Sequence, residues 1–293
     1  MGIKNITAVY IFILFISFFM SAFKDNYIYV HWLDDDISNF EPKKALDYKA
    51  KIRVGVCHGV DIDSQQFKDN CVGSENRKLV LWGDSFAASL YPGLSVISKQ
   101  KKINVDIIQL TDFNAPPFFD ANNKANNGST LEFINQKKLA YVGHLQPEIV
   151  LFAWMYNGKN GGNNERNLSI IQTIDALRRV SPSTKIIVLG PFPIWVPTLI
   201  HIFKKYGAKN INKYEDRGLH KGLLIRDRFF SSYIWPEDIT YLSVFSTFCR
   251  NEKCLTSVDG SVQTITTVDF GHLSHPAAKY FISKNLKAIW GAN

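Results

Sequence analysis

The chain reads Leu79-Val80-Leu81-Trp82-Gly83-Asp84-Ser85 where a short apolar run meets a polar turn. Four apolar residues in a row, followed by a glycine, an acid and a serine, predict a buried strand that turns directly into a helix. Outward from this stretch the sequence predicts further strands at 103–110, 149–154 and 186–189, and helices at 131–142, 168–180 and 275–286. Strands that alternate with helices and are apolar throughout predict an α/β fold whose mainly parallel sheet is covered on both faces.

The residues whose side chains could act in catalysis or binding follow the strands of this sheet. Ser85 comes after the first strand, Asn114 after the second, and Trp154 and Asn157 after the third. Parallel sheets bind their ligands at the carboxyl ends of the strands. The sequence therefore predicts that these residues lie at one edge of the sheet.

An acid and an imidazole lie close together just before the closing helix, at Asp269 and His272. A serine hydroxyl becomes a good nucleophile only when a base takes its proton and a third group orients that base. Each motif alone is common, because Asp84 and Ser85 are also ordinary turn and helix-capping residues. In combination the motifs predict a catalytic triad made of Ser85, His272 and Asp269.

The start of the chain is apolar, and the run 6–23 contains no charged residue and follows Lys4. Its length just suffices to span a bilayer as a helix, and a cleaved signal peptide is the alternative. We therefore expect residues 1–24 to be a transmembrane anchor or a signal peptide, residues 25–52 a stalk, and residues 53–293 the catalytic domain. Lys4 on the short N-terminal side agrees with the positive-inside rule, so the remainder of the chain would cross the membrane. The expected location is the cell inner membrane, single-pass, with the catalytic domain in the periplasm or outside the cell.

The four cysteines fall into two local pairs, Cys57 with Cys71 and Cys249 with Cys254. Such pairs close small loops as disulfides in an oxidising compartment, which agrees with export. A zinc site is the alternative, but the spacings do not match the usual zinc knuckles. Disulfides are therefore expected, and no metal or other cofactor is expected.

The net charge of +8 predicts an anionic partner: nucleic acid, a phospholipid surface or an acidic polysaccharide. No nucleic-acid-binding motif accompanies the charge, so nucleic acid is not expected. Basic residues are dense between 204 and 228, where Lys205 and Lys209 are candidate substrate-binding residues. A solvated helix face is the alternative interpretation of this segment.

The motifs together resemble a known family. The stretches Leu81–Ala88 and Asp269–Ser274 are similar to the first and last sequence blocks of the SGNH (GDSL-like) hydrolases. In particular, the chain resembles the SGNH-type domain associated with bacterial acyltransferase-3 membrane proteins, the polysaccharide O-acetyltransferases. That branch tends to show a motif matched by Pro147–Trp154, and often a cysteine pair shortly before the catalytic acid, matched by Cys249 and Cys254.

The resemblance implies a three-layer α/β/α sandwich of the SGNH, flavodoxin-like kind and serine ester chemistry on carbohydrate. The second-block glycine and the third-block asparagine of the family are not obvious here. The oxyanion hole is therefore assigned to the Ser85 backbone N–H with Asn114 and Asn157 as candidates. The position after the serine is Phe86, where the family commonly has histidine.

The predicted function is that of an extracytoplasmic, serine-dependent O-acetyltransferase that modifies an acidic or neutral cell-surface polysaccharide through an acetyl-serine intermediate. A multispanning membrane acyltransferase is the expected acetyl donor, because one N-terminal helix cannot itself carry an acyl group across a membrane. Two alternatives stay open. The same triad would serve a carbohydrate O-acetyl esterase, and a catalytically silent glycan-binding module would result if Phe86 blocks the site.

Overall fold

The computed structural model describes residues 42–156, 169–207 and 211–291. The chain divides into two compact units, Met1–Ala45 and Leu46–Asn293. The second unit carries the sheet and the candidate site. The predicted anchor at 6–23 lies outside the described residues, and within the described ranges no helix is both long and apolar enough to cross a membrane.

The secondary structure alternates between strands and helices, as the sequence predicts. The strands are β1 (Lys78–Gly83), β2 (Asp106–Thr111), β3 (Ile149–Ala153), β4 (Lys185–Leu189), β5 (Tyr214–Glu215), β6 (Ile239–Leu242), β7 (Cys249–Arg250) and β8 (Lys253–Leu255). The helices are α1 (Pro42–Lys51), α2 (Gln65–Cys71), α3 (Ser85–Ala88), α4 (Tyr91–Gln100), α5 (Leu131–Leu145), α6 (Ser169–Val180), α7 (Leu199–Tyr206), α8 (Lys221–Ser232), α9 (Val244–Phe248), α10 (His275–Lys284) and α11 (Leu286–Trp290).

The main sheet has the strand order β2-β1-β3-β4-β6, and every pairing between its neighbours is parallel. Its centre is buried on both faces, because consecutive residues of β1 and β3 point to opposite faces and all of Leu79–Trp82 and Ile149–Ala153 are buried. The Trp82 indole N–H donates to Asn135 Oδ1 at 2.8 Å, which places α5 over one face. The α/β fold with a mainly parallel sheet is thereby confirmed.

Three features of the fold differ from the sequence prediction. A fifth parallel strand, β6, is present at the sheet edge; only its first residue is buried, so it lacks the long apolar run that marks the central strands. The segment 42–51, expected within the stalk, forms helix α1. A small antiparallel sheet of β5, β8 and β7 stands apart from the main one.

Both predicted disulfides are present. Cys57 joins Cys71 with a Cα–Cα distance of 5.7 Å, and Cys249 joins Cys254 across the β7–β8 hairpin with a Cα–Cα distance of 4.0 Å. The first bond holds the loop before β1, and the second closes the small antiparallel sheet. All four cysteines are paired, so the zinc alternative is wrong.

Helices α4 and α10 approach each other closely at Gly93. A Cβ atom on Gly93 would lie 2.4 Å from the backbone carbonyl carbon of Ala278 and 2.5 Å from its oxygen. Neither atom is the end of a flexible side chain, so a larger residue would push the two helices apart. Because α3 and α4 follow Ser85 and α10 follows His272, this contact also fixes the distance between the two halves of the predicted triad.

We expect Gly93→Ala to destabilise the fold. Overpacking a close contact costs about 1–3 kcal/mol, more than the ~1 kcal/mol that alanine gains over glycine in a helix. Urea unfolding monitored by circular dichroism measures the difference. The matched control is Gly143→Ala in α5, where the added Cβ would lie 3.0 Å from the Val180 Cβ, a milder approach than the 2.4 Å at Gly93. Equal or greater stability of Gly93→Ala would contradict the close-packing account.

Candidate active site

The serine is presented by a tight turn between β1 and α3. Asp84 caps the helix, since its Oδ1 accepts the Phe86 N–H at 2.8 Å, and Ser85 is the first helical residue. Gly83 must lack a side chain, because a Cβ there would lie 1.7 Å from the Ala153 carbonyl oxygen. The second oxygen of Asp84 accepts the Met155 N–H at 2.9 Å. One buried carboxylate therefore ties the serine turn to the loop after β3.

The acid and the imidazole are held by a short hairpin before α10. The Val268 N–H donates to the His272 carbonyl at 3.0 Å, and the Asp269 Oδ1 accepts the N–H groups of Gly271 at 2.9 Å and His272 at 2.8 Å. The Asp269 Oδ2 lies 2.5 Å from His272 Nδ1. A single carboxylate thus fixes both the backbone of this turn and the orientation of the ring.

The two segments meet although 187 residues separate them. His272 Nε2 lies 2.7 Å from Ser85 Oγ. The hydrogen-bond network assigns the proton of the ring to Nδ1, which donates to Asp269, and leaves Nε2 to accept the Ser85 hydroxyl. Ser85 is half-buried, whereas Asp269 and His272 are buried. The three residues therefore have the contacts and the polarity that a serine nucleophile requires.

The charges of the site support this assignment. Burial lowers the pKa of His272, but the charge and hydrogen bond of Asp269 outweigh burial and hold that pKa above 6.5. Burial raises the pKa of Asp269, but the His272 ring and the two backbone N–H groups outweigh it, so the pKa lies below 3.8. An ionised carboxylate beside a ring that gains stability on protonation is the electrostatic arrangement of a general base.

Aromatic rings pack around the imidazole. The Phe86 ring centroid lies 4.4 Å from that of His272, and the Phe270 ring lies 5.6 Å away in an edge-on arrangement. Gly271 permits this packing, because a Cβ there would lie 3.0 Å from the Phe86 ring. Phe86 is buried, so it supports His272 from the interior while Ser85 stays partly exposed.

A buried polar group beside the triad was not predicted from the sequence. His58 is fully buried, its Nδ1 lies 3.0 Å from Thr111 Oγ1, and burial above all lowers its pKa to about 4. Lys138 is also buried, and its Nζ lies 3.2 Å from Asp112 Oδ2. The burial of Lys138 was missed because it lies on a helix whose charged residues suggest a solvated face. For His58 the one signal in the sequence is its position next to the disulfide residue Cys57.

The other predicted site residues occupy varied surroundings. Asn114 is exposed with a backbone φ of 54°, a conformation that asparagine tolerates. Trp154 is 2% exposed and stacks on Tyr156 with ring centroids 4.5 Å apart. Lys205 is exposed, with its Nζ 5.2 Å from the Tyr206 ring. Asn157 and Lys209 lie outside the described residues. The roles of these residues in the oxyanion hole and in substrate binding stay predictions.

Metal ligands are not gathered at this site. Among the described residues, no group of three or more His, Cys, Asp or Glu side chains is arranged to hold a metal ion.

Comparison with known families places the chain in one of them. Residues 56–284 match the family described as the SGNH domain fused to AT3 domains, and the chain belongs to that family. The match includes Ser85, Asp269 and His272 and covers the whole parallel sheet. The predicted relationship to SGNH hydrolases is thereby confirmed.

Two solved structures are similar to the chain to different degrees. The periplasmic domain of a lipopolysaccharide acetyltransferase from Salmonella ser. Paratyphi A has a TM-score of 0.77 and 29% identity; the match covers 87% of this chain and 97% of that one. A putative acylhydrolase from Bacteroides fragilis has a TM-score of 0.46 and 13% identity, with 77% of this chain and 92% of that one covered. No curated protein matches the chain.

Titration by nuclear magnetic resonance tests the electrostatics of the site directly. We expect the His272 ring to titrate with a midpoint above 6.5, because the Asp269 charge stabilises the imidazolium. Asp269→Asn should lower that midpoint, since burial then dominates. In the parent protein the His58 signal is distinguished from that of His272 by its much lower midpoint, about 4, which burial above all produces. A His272 midpoint that does not change in Asp269→Asn would contradict the pairing.

Proposed function

We propose that this protein is an extracytoplasmic O-acetyltransferase that transfers acetyl groups to a cell-surface polysaccharide through an acetyl-serine intermediate on Ser85. The observation that carries the proposal is the continuous chain of contacts from Ser85 Oγ to His272 Nε2 at 2.7 Å and from His272 Nδ1 to Asp269 at 2.5 Å. The family, whose members are fused to acyltransferase-3 domains, supports acetyl transfer as the reaction.

In the first half of the proposed reaction, Ser85 Oγ attacks the carbonyl carbon of an acetyl donor as its proton passes to His272 Nε2. Asp269 stabilises the imidazolium that results, through the hydrogen bond to Nδ1. The tetrahedral intermediate then collapses. The bond between the acetyl carbon and the donor oxygen breaks, the leaving group takes the proton from His272, and the acetyl group stays on Ser85.

In the second half, a hydroxyl group of the acceptor sugar replaces the leaving group. His272 takes the proton of that hydroxyl, the sugar oxygen attacks the acetyl carbon, and the bond to Ser85 Oγ breaks. The Ser85 oxygen recovers its proton from His272. Water in place of the sugar gives hydrolysis, so access of the sugar decides between a transferase and an esterase.

The oxyanion of both steps needs hydrogen-bond donors. The Ser85 backbone N–H fits, because the first residue of a helix has no carbonyl four residues earlier in the helix to bond. Asn114 follows β2 and Asn157 lies in the sequence after β3, so both remain proposed donors. Asp84 would act here as a positioning residue, because it holds the loop after β3 at the serine turn.

The proposed setting is the outer face of the inner membrane. Two disulfides agree with an oxidising compartment, and the Salmonella relative is a periplasmic domain. A multispanning membrane acyltransferase would deliver the acetyl group, and residues 1–24 would anchor the chain beside it. The exposed Lys205 and its neighbour in sequence Lys209 would add positive charge for an acidic acceptor or the membrane surface.

Replacement of the nucleophile tests the proposal. We expect Ser85→Ala to lower acetyl transfer from an activated acetyl ester to surface polysaccharide by about a thousandfold or more, because the attacking oxygen is absent. A fluorophosphonate probe should label the parent chain and leave Ser85→Ala unlabelled. Ser95→Ala, a change in the half-buried α4 serine, is the matched control and should keep both properties.

Three outcomes would contradict the proposal. Transfer that persists in Ser85→Ala would remove the serine from the mechanism. Rapid hydrolysis that the polysaccharide leaves unchanged would assign the chain to the esterases. Absence of both turnover and labelling in the parent chain would indicate a glycan-binding module.

A further inference from the structure

A small cavity lies beside the proposed reaction centre, at the same edge of the sheet. Its volume is about 120 Å³, and Asp112, Ser129, Phe133 and Lys138 are among the residues that line it. Strand β2 ends at Thr111, which is paired with Gly83 of β1, and the Asp112 N–H donates to the Gly83 carbonyl at 3.2 Å. The wall of the cavity therefore adjoins the turn that carries Ser85.

Electrostatic interactions also indicate that the cavity residue Lys138 lies near the serine turn. The charges of His272 and Lys138 both act on His58 and both act on Asp84. Lys138 thus lies within electrostatic reach of the serine turn. The larger open groove at Arg53, Lys99 and Asp106 is different, because Asp106 begins β2 and so lies at the opposite end of the strand.

We propose that this cavity binds one neutral, hydroxyl-bearing sugar residue of the acceptor, with its apolar face on the Phe133 ring and its hydroxyl groups on Ser129 and Asp112. The inference rests on the proposed acetyl transfer and names a subsite for its acceptor.

The lining has the chemistry of a carbohydrate site. Phe133 is 55% exposed although it is a large apolar side chain, and it lies on the wall of the cavity. The Ser129 hydroxyl has no hydrogen-bond partner in the described part of the chain, and the Asp112 carboxylate is partly exposed. A ring to stack on, beside a few convergent polar groups, is the usual composition of a small-ligand site.

The buried lysine adds a second, independent observation. Lys138 is only 2% exposed, and within the described residues its Nζ has the Asp112 carboxylate at 3.2 Å and no further hydrogen-bond acceptor. A buried ammonium group with unused donors is costly. A sugar hydroxyl that enters the cavity can accept one of these N–H bonds, which gives the group a partner.

The charge balance selects a neutral sugar. Lys137 pairs with Asp61 at 2.7 Å and with Asp63 at 2.6 Å, and Lys138 pairs with Asp112. The charged residues that line the cavity are Asp61, Asp112, Lys137 and Lys138, so two ammonium groups face two carboxylates and all four are paired. No unpaired positive charge is left in the lining to compensate the carboxylate of a uronic acid, whereas a neutral sugar needs no such partner.

Binding measured apart from catalysis tests the subsite. The full chain that carries Ser85→Ala is titrated with methyl glycosides of glucose, galactose and rhamnose, and with methyl glucuronide, by saturation-transfer nuclear magnetic resonance. We expect at least one neutral glycoside to bind more tightly than the glucuronide. Adding Phe133→Ala should weaken that binding about tenfold, or about 1.4 kcal/mol, and adding Ser129→Ala should also weaken it.

The matched control is Phe229→Ala, which removes a partly exposed phenylalanine of α8 and should leave sugar binding unchanged. Binding that survives Phe133→Ala, preference for the glucuronide, or binding of none of the neutral glycosides would each overturn the inference. The proposed function is tested by a separate assay, which measures acetyl transfer by the chain with Ser85 intact. Absence of transfer together with Phe133-dependent binding would refute the acetyltransferase and support the sugar site.

Discussion

The hydrogen bond between Ser85 Oγ and His272 Nε2 is the contact on which the account depends. It joins a turn after β1 to a hairpin before α10, and neither segment fixes it alone. The sheet positions Ser85 through Gly83, which the Ala153 carbonyl approaches too closely for any side chain. The Asp269 carboxylate positions His272, and the close contact between α4 and α10 at Gly93 keeps the two halves together.

Buried carboxylates provide the rigidity of the site. Asp84 and Asp269 are both almost completely buried, and each accepts two backbone N–H groups. Burying a charge without partners is costly, so each carboxylate is tied to the loop geometry that satisfies it. For Asp84 the consequence is that the serine turn is hydrogen-bonded to Met155, just after β3. For Asp269 it is that the imidazole keeps a single orientation.

The sequence predicted those parts whose signals are local. The apolar runs of β1, β3 and β4 marked the centre of the sheet, and the cysteine spacing marked both disulfides. The two short motifs marked three side chains that the structure brings into contact, and their catalytic role stays a proposal. Strand β6 was missed because a half-exposed edge strand lacks such a run. Lys138 and His58 were missed for a different reason. Their burial is set by the packing of α5 and of the first disulfide loop against β2, which no local pattern reports.

Direct detection of the covalent intermediate tests the central claim. The full chain is mixed with an activated acetyl ester, quenched in acid within the first turnover, and mapped by peptide mass spectrometry. The account predicts one acetyl group on the peptide that contains Ser85, its loss when acceptor polysaccharide is added before the quench, and slower formation in Asp269→Asn. Acetyl transfer to the polysaccharide with no acetyl group on Ser85 at any time would contradict it.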